Sequence, residues 1–310
     1  MTFSRSSHCS RLLTASFGFA FAFGVTETSA QTASAQVGEV ETQRVTRKES
    51  TANPFSALVV PDPFYVQLTS SYSHTTNAFS DFREQEDWLL DTNLAAGWRT
   101  TIGSSLYFDL AFVSNRTDYA NQEALSRNML GTRAMLGGLA FGKLPFFLAY
   151  NGNWFYDSSY DSTSLNFHTL STVVPFVRKN LGKVNLTVAS TLNWIKAQPS
   201  DFDQINPGLS MRFSLPVTGK DRLDLSLMQS YAYFQHFAPG QYTDDRQDWR
   251  STVGIQFVHT FTEQLQLTLG VSYMRNDSNL TGFSAGGRSG GIYDFKTWNF
   301  TPTLGVNYSF

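Results

Sequence analysis

Cysteine is almost absent from this chain. Among 310 residues there is one, Cys9, and it lies close to the N-terminus. A chain with a single cysteine cannot form an internal disulfide, so its stability has to come from packing and hydrogen bonding. This excludes the class of small secreted domains that disulfides hold together.

Charge is also scarce. Charged residues make up 15% of the chain, the formal net charge is −2, and no run of lysines and arginines occurs. Nucleic-acid-binding domains carry a basic surface, so we expect no nucleic-acid partner. The sequence contains neither a glycine-rich phosphate loop nor the His/Cys spacing of a metal site, so we expect no cofactor and no bound metal.

Long apolar runs are missing beyond the N-terminal region. A transmembrane helix needs about 20 apolar residues, so none is expected after that region. Transmembrane strands alternate apolar and polar residues, and a mean hydropathy does not detect them. What the chain does have is aromatic residues, with 27 Phe and 13 Tyr, and this composition favours β-structure.

The first 62 residues differ in composition from the rest. Basic residues near the start, an apolar stretch rich in Phe and Ala, and small residues before Gln31 are typical of a secretory signal peptide. We predict residues 1–30 as a cleaved signal, with cleavage after Ala30 or, alternatively, after Ala35. Residues 31–62 are polar and end in a proline-bounded stretch, which predicts a flexible periplasmic segment. A plug that enters the mouth of the following domain is the alternative.

The C-terminal stretch shows the pattern that organises residues 63–310. From Trp298 to Phe310 one parity is wholly apolar, and the other carries small and polar side chains. Successive side chains of a strand point to opposite faces, so this stretch predicts a strand with one apolar face. Eleven further stretches alternate in the same way, although the fourth, at about 129–141, is glycine-rich and irregular. The count is about 12 strands, within a range of 10–14.

Connections between the predicted strands alternate between short and long. Short turns are predicted at 100–103, 142–145, 179–183, 216–221 and 262–264, and polar loops fall between them, among them 115–128, 236–248 and 276–294. An even number of strands with this asymmetry is typical of a closed antiparallel up-and-down transmembrane β-barrel, in which all backbone groups are paired. The predicted fold class is therefore all-β, with both chain ends on the short-turn side.

All six tryptophans fall on the apolar parity and close to a predicted strand end. They are Trp88, Trp98, Trp154, Trp194, Trp249 and Trp298. Five lie at the long-loop end, and Trp98 lies at the other. Indole is apolar but carries an N–H that needs a partner, so tryptophan is enriched at membrane–water interfaces. A soluble sandwich would place tryptophan at mid-strand in its core, so we predict these six as membrane-interface aromatics.

The export signal, the amphipathic strands and the terminal stretch Val306–Phe310 together resemble Gram-negative outer-membrane β-barrel proteins of the porin-like kind. In that family a C-terminal Phe, with an aromatic two residues before it, is the signal that the barrel-assembly machinery recognises. The resemblance implies this role for Phe310 and Tyr308. It also implies location in the outer membrane of a Gram-negative bacterium, in contact with the lipid bilayer and lipopolysaccharide.

Charged residues on the inward parity are the candidates for a functional interior. They comprise three acids and three bases: Asp91, Asp109, Asp224, Arg133, Arg212 and Arg250. They predict either a polarised constriction or ion pairs that fill the interior. We expect the other inward positions to be mostly Ser, Thr, Asn and Gly. A balanced set of charges gives a pore little ion preference.

These observations predict a passive, porin-like channel for small polar solutes. The alternative is a structural or surface-interaction barrel with an occluded interior. A barrel lipase or protease is a third possibility, because His168 with Ser171, or His236 with Asp244 and Asp245, supplies the residue types. His168 and Ser171 are three apart in a predicted strand and point to opposite faces, so we expect the protein not to be an enzyme.

Overall fold

The computed structural model describes residues 63–78, 85–102, 106–140, 144–157, 159–160, 163–235, 246–279 and 294–309. These residues form twelve β-strands. The strands are β1 (Phe64–Thr75), β2 (Asp87–Ile102), β3 (Leu106–Tyr119), β4 (Arg127–Ala140), β5 (Leu144–Tyr156), β6 (Thr163–Leu181), β7 (Val184–Gln198), β8 (Gln204–Pro216), β9 (Asp221–Phe234), β10 (Gln247–Thr260), β11 (Leu265–Ser278) and β12 (Phe295–Ser309).

Helix is limited to two short 3-10 turns in the described residues, Glu123–Leu125 and Ser200–Phe202. They lie in the β3–β4 and β7–β8 connections, at the same end of the sheet. No helix in the described part of the chain has the length and apolar character to cross a membrane.

The sheet closes on itself. Each strand pairs antiparallel with its neighbours in the chain, and β12 pairs with β1 to form a barrel. The closing ladder runs from Tyr65 opposite Ser309 to Thr75 opposite Asn299. Closure removes the free edges of the sheet, so every strand has a ladder partner on both sides. The predicted all-β up-and-down barrel with twelve strands is therefore confirmed.

The strands are tilted against the barrel axis, as closure requires. Hydrogen-bonded partners followed from Tyr65, near the start of β1, lead to Arg133 in the middle of β4 and to Gln204 at the start of β8. Tyr65 lies at the short-turn end and Gln204 at the long-loop end. Ladder partners therefore change height around the barrel, and side chains at one height on distant strands are not ladder partners.

The outer face of the barrel is apolar. In β12 the side chains of Trp298, Phe300, Leu304 and Val306 are all exposed, although they are large and hydrophobic. The alternate residues point inward, as the pleat of a strand requires. A continuous apolar surface on the outside of a closed sheet is what contact with lipid demands.

Several strands extend further than predicted at the long-loop end. β3 continues to Tyr119 and β4 begins at Arg127, so the loop predicted at 115–128 is wrong at both ends and holds only for residues 120–126. β11 continues to Ser278, inside the loop predicted to begin at 276. A strand that projects beyond the apolar zone needs no apolar face, so alternation disappears from its sequence while backbone pairing continues.

Three of the short turns lie at the predicted positions. Gly182 closes the β6–β7 turn with φ of 66°, a conformation that favours glycine. In the β8–β9 and β10–β11 turns, the Thr218 and Thr262 hydroxyls accept hydrogen bonds from backbone N–H groups two and three residues later. The other two turns, predicted at 100–103 and 142–145, are described only in part, and there residues 100–102 and 144–145 belong to β2 and β5; residues 103–105 and 141–143 lie outside the described residues.

Candidate functional site

The six predicted interior charges all lie on the inward parity, but they do not form one ring. The structure brings Asp109 together with Arg133, and Arg212 together with Asp224. Asp91 and Arg250 lie near the long-loop ends of β2 and β10, apart from those two pairs. The interior therefore contains separate polar clusters at different heights and not a single charged constriction.

Asp109 on β3 is the centre of the first cluster. Its buried carboxylate accepts hydrogen bonds from the hydroxyls of Tyr65 at 2.9 Å and Tyr107 at 3.2 Å. Arg133 lies 3.5 Å from the same carboxylate and donates a 2.8 Å hydrogen bond to the Tyr65 hydroxyl. Burial of a carboxylate is costly unless charge and hydrogen bonds replace its hydration, and these three side chains replace it.

A glycine makes room for this cluster. Gly97 is the ladder partner of Tyr65, and a Cβ at Gly97 would lie 2.5 Å from the tyrosine ring. Arg99, on the same inward face, places its guanidinium 5.2 Å from the centre of that ring, within cation–π distance. Arg99 was absent from the predicted set, although its parity on β2 is that of Asp91 and could have identified it.

Asp224 on β9 is the centre of a second cluster at the short-turn end. It accepts hydrogen bonds from Arg212 at 2.7 Å, from Arg222 at 2.9 Å and from the Ser214 hydroxyl at 2.6 Å. Arg222 was also absent from the prediction, although it precedes Asp224 by two residues and so shares its face. Two guanidinium groups share one buried carboxylate here.

Arg250 belongs to a third cluster, near the long-loop end of β10. Its side chain is 2% exposed, donates a 3.0 Å hydrogen bond to Asn276 and lies 3.5 Å from the Asp248 carboxylate. Arg246 donates a 2.8 Å hydrogen bond to that carboxylate and stacks over Phe234 at 4.4 Å. The sequence interpretation missed Arg246 and Asp248 because it assigned them to a loop, whereas the spacing Arg-x-Asp-x-Arg places all three on one strand face.

Asp91 is bonded by neutral groups. Asn115 donates to it at 3.0 Å, and the Thr117 hydroxyl donates at 2.8 Å. Both donors come from β3, where Thr117 is the ladder partner of Asp91. Asp91 therefore forms a cross-strand hydrogen-bonded group that ties β2 to β3 above the Asp109 cluster.

Part of the interior is apolar, contrary to the expectation of small polar residues, which holds at the inward Asn153, Thr169, Ser171 and Asn193. Two buried clusters form the apolar part, one toward the long loops (Met129, Phe155, Leu165, Phe167, Ile195, Phe202) and one toward the short turns (Tyr107, Met135, Phe147, Ala149, Val173, Ala189). The expectation fails chiefly on β4 to β7. These strands carry apolar residues at both parities, so alternation could not reveal the inner face.

The tryptophans lie on the outer face of the barrel. Trp88, Trp98, Trp194, Trp249 and Trp298 are exposed, and Trp154 is half-buried. Five of the six contact a ring on a neighbouring strand: Trp88 with Tyr72 at 5.1 Å, Trp98 with Phe108 at 6.0 Å, Trp154 with His168 at 5.7 Å, Trp249 with Tyr231 at 6.1 Å and Trp298 with Tyr273 at 4.7 Å. Such cross-strand pairs hold the indoles against the sheet.

The two residues of the predicted assembly signal lie at the end of β12. Tyr308 is exposed on the outer face, opposite Val66 of β1. Phe310 lies outside the described residues. The exposed ring at Tyr308 is adjacent to the seam at which the barrel closes.

His168 does not form a nucleophile dyad with Ser171. Ser171 is buried on the inner face of β6, whereas His168 lies on the outer face and contacts the Tyr150 hydroxyl at 2.8 Å. His259 Nδ1 lies 2.6 Å from Asp221 at the short-turn end. The pair of Asp244 and Asp245, with His236, lies outside the described residues. Within the described ranges, no group of His, Cys, Asp and Glu side chains could hold a metal ion.

Similarity to known proteins is found in structure and not in sequence. No protein-family model matches the chain, and no curated protein matches it either. An outer-membrane channel from Pseudomonas putida F1 superposes with a TM-score of 0.53 and 13% identity, over 84% of this chain and 100% of that one. The fold is that of outer-membrane β-barrel proteins.

Two further solved barrels superpose less well. A KdgM porin, solved in complex with disordered oligogalacturonate, has a TM-score of 0.40 and 10% identity, over 79% of this chain and 99% of that one. The translocator domain of the autotransporter NalP from Neisseria meningitidis has a TM-score of 0.39 and 11% identity, over 92% and 98%. The outer-membrane barrel fold accounts for the apolar outer wall, and function has to be sought in the interior and at the two ends.

Proposed function

We propose that this protein is a passive channel for small polar solutes in the outer membrane of a Gram-negative bacterium. The observation that supports it is the set of polar clusters on the inner face of a closed barrel: those of Asp109 and Asp224 lie toward the short-turn end, and that of Arg250 lies toward the long-loop end. Residues 1–30 direct export in this proposal, residues 31–62 lie in the periplasm, and the barrel-assembly machinery inserts residues 63–310. The tryptophans then mark the membrane interfaces.

The divided interior suggests how a solute would pass. In the polar clusters, carboxylates and guanidinium groups are already paired, so they offer hydrogen bonds without a strong excess of either charge. The two apolar clusters on β4 to β7 offer no such bonds, whereas the inward Asn153, Thr169 and Asn193 between them do. A small polar solute would therefore pass along the polar side chains and exchange hydrogen bonds with water and with them.

Single-channel recording in planar bilayers tests the proposal. We expect stepwise, salt-dependent conductance. Replacing Arg133 and Arg212 by Gln leaves the carboxylates of Asp109 and Asp224 with fewer cations, so the reversal potential under a KCl gradient should shift toward cation preference. The matched control is Arg275→Gln, because Arg275 is exposed near the long-loop end of β11 and pairs with Asp277. The absence of conductance over many insertions would refute the channel. An equal shift of the reversal potential in the control would show that Arg133 and Arg212 do not line the conducting pathway.

A barrel with an occluded interior is the second candidate, and one observation favours it. The Arg246–Asp248 pair is fully buried where β10 enters the barrel from the long-loop side. A pair so enclosed is typical of a filled interior. In that case the loops would act as the contact surface, and the same recordings would stay silent. Neither candidate includes an enzymatic step. His168 and Ser171, one of the two residue sets considered for a barrel enzyme, lie on opposite faces of β6.

A further inference from the structure

Arginines outnumber acids in the interior toward the short-turn end. In the part of the barrel that the structure describes, the inward strand positions of that half carry two aspartates and five arginines. They are Asp109 and Asp224, with Arg99, Arg133, Arg178, Arg212 and Arg222. Each cluster taken alone is close to balance, but together these residues give this half of the interior a formal excess of three positive charges.

Arg99 and Arg178 were absent from the predicted set of interior charges. Arg99 is the ladder partner of Asp109 and lies directly opposite it on β2. Arg178 follows a bulge in β6 that shifts the register by one residue, so strict alternation would place it on the outer face. The structure pairs Arg178 with Thr187, and Thr187 with Arg212, so all three point inward. Arg178 and Arg212 are therefore two strands apart, about 10 Å between their backbones.

In the Asp224 cluster the guanidinium groups are partly exposed and the carboxylate is covered. The Asp224 side chain is 4% exposed, against 24% for Arg212 and 18% for Arg222. Both arginines donate to one oxygen of the carboxylate, and the Ser214 hydroxyl donates to the other. An ion that enters the interior at this end therefore meets two cations before it meets the buried acid.

The Asp224 carboxylate shows which chemistry these guanidinium groups suit. They bind one of its oxygens at 2.7 Å and 2.9 Å, and the planar set of N–H donors in a guanidinium group matches both carboxylate and phosphate. A second oxyanion is attracted here because two cations share a single acid, and the exposed Arg178 adds a third positive charge two strands from Arg212. A cation is repelled by the same excess.

We propose that the short-turn half of the interior holds a site for one small oxyanion, a carboxylate or a phosphate, at Arg212 and Arg222, with Arg178 as the third positive charge. The barrel consequently passes anions more readily than cations. This preference in transport rests on the proposed channel, whereas binding of the anion does not. The net charge of the chain is −2, so the preference arises from where the charges lie and not from their sum.

Phosphorus NMR of inorganic phosphate, titrated with the full-length protein in detergent, tests the site without any need for conductance. Arg222→Gln should raise the dissociation constant about tenfold, the loss of one hydrogen bond to a charged group. Asp224→Asn should lower it about fivefold, the effect in water of one unit charge on an ion about 4 Å away. The opposite signs separate an anion site from a structural role, because damage to the cluster would weaken binding in both variants.

The adjacent residues Arg178 and Lys179 supply a matched control. Both are exposed near the short-turn end of β6, but they lie on opposite faces of the sheet. Arg178→Gln should weaken phosphate binding about twofold, because a unit charge about 8 Å away acts more weakly than a direct contact. Lys179→Gln should leave it unchanged. An equal loss in the two variants would mean that the barrel as a whole attracts phosphate, and would overturn the site.

Two competing anions define the ligand. Acetate should displace phosphate, and whichever of the two binds more tightly identifies carboxylates or phosphates as the preferred class. Chloride at the same ionic strength should displace phosphate less, because it cannot accept two parallel hydrogen bonds from one guanidinium group. The proposal is overturned by displacement with chloride as effective as with acetate, by unchanged binding in Arg222→Gln, or by weaker binding in Asp224→Asn.

Reversal potentials under a KCl gradient test the preference in transport. The wild type should pass chloride about fivefold more readily than potassium, the effect of one unit charge close to the ion. Arg178→Gln should reduce this ratio and Lys179→Gln should not. A preference for potassium in the wild type would overturn the inference for transport. Silence in bilayers would refute the channel and leave phosphate binding to decide the site, so the two proposals fail separately.

Discussion

Replacement of Asp109 by Ala should strongly destabilise the barrel. The Asp109 carboxylate is 6% exposed and is the acceptor for two tyrosine hydroxyls and the ion-pair partner of Arg133, which is itself only 13% exposed. Removing one partner of a buried ion pair leaves the other charge without compensation, which costs about 3–5 kcal/mol. Part of this loss returns if the Arg133 guanidinium, already bonded to Tyr65, turns toward water, so we expect the lower half of that range.

The same strand supplies a control for the effect of charge alone. Asp118, also on β3, pairs with Arg116 at 2.8 Å, but both side chains are well exposed, at 41% and 55%. An exposed pair of this kind contributes about 0–1 kcal/mol. Asp118→Ala should therefore change the free energy of unfolding little, although it removes the same chemical group from the same strand.

The assay is urea unfolding of the reconstituted barrel in lipid vesicles, followed by tryptophan fluorescence. All six indoles lie on the outer face, so their emission reports transfer from lipid to water. We expect the midpoint for Asp109→Ala to fall while the dependence on urea stays constant, because a change in slope would indicate a change in the surface exposed on unfolding. A loss for Asp109→Ala within about 1 kcal/mol of that for Asp118→Ala would refute the assignment of Asp109 as a compensated buried charge.

Two further predictions use the same assay. Gly97→Val should destabilise the barrel by about 1–3 kcal/mol, because a side chain there overlaps the Tyr65 ring; Gly305→Ala, whose added Cβ would meet its nearest atom at 3.6 Å, is the control, and equal losses would contradict the packing argument. A double-mutant cycle on Trp298 and Tyr273, whose rings are 4.7 Å apart, should give a coupling of about 0.5–1.5 kcal/mol. Strict additivity of the two single losses would show that the ring contact contributes nothing of its own.

The outer wall was predictable from the sequence because lipid imposes one requirement on it at all points. Most outward residues between the interfaces are apolar, because they face lipid whatever their neighbours are, so period-2 alternation in β7, β9 or β12 was sufficient to assign strand and face. The end of a strand was less predictable. At the end of β3, Arg116 and Asp118 lie on one face, and the residues between and before them on the other face are polar as well. No property of the sequence distinguishes such a strand end from a loop.

From the sequence, the interior could be predicted only as a set of inward-pointing residues, because the stability of each inward side chain depends on its neighbours on adjacent strands. Asp109 is tolerable because Tyr65 and Arg133 reach it, and these residues lie 44 and 24 positions away in the chain. The alternation of side chains assigns all three residues to the inner face, but it does not show which of them lie close together in the barrel. That information is in the register, which the tilt of the strands shifts from one ladder to the next.

The apolar clusters on the inner face of β4 to β7 are explained by adjacent apolar residues in the sequence. Phe146 and Phe147 are adjacent, so one of them has to point inward whatever the register is. An inward phenylalanine is stable only beside other apolar groups, which requires the inner faces of neighbouring strands to be apolar as well. Met135 and Val173, on the strands either side of β5, meet that requirement. Charge is not excluded from these strands, because Arg127 of β4 stacks over the Phe155 ring at 4.9 Å and Arg133 of β4 reaches Asp109. A barrel whose charges balance can therefore present apolar and polar clusters side by side to whatever enters it.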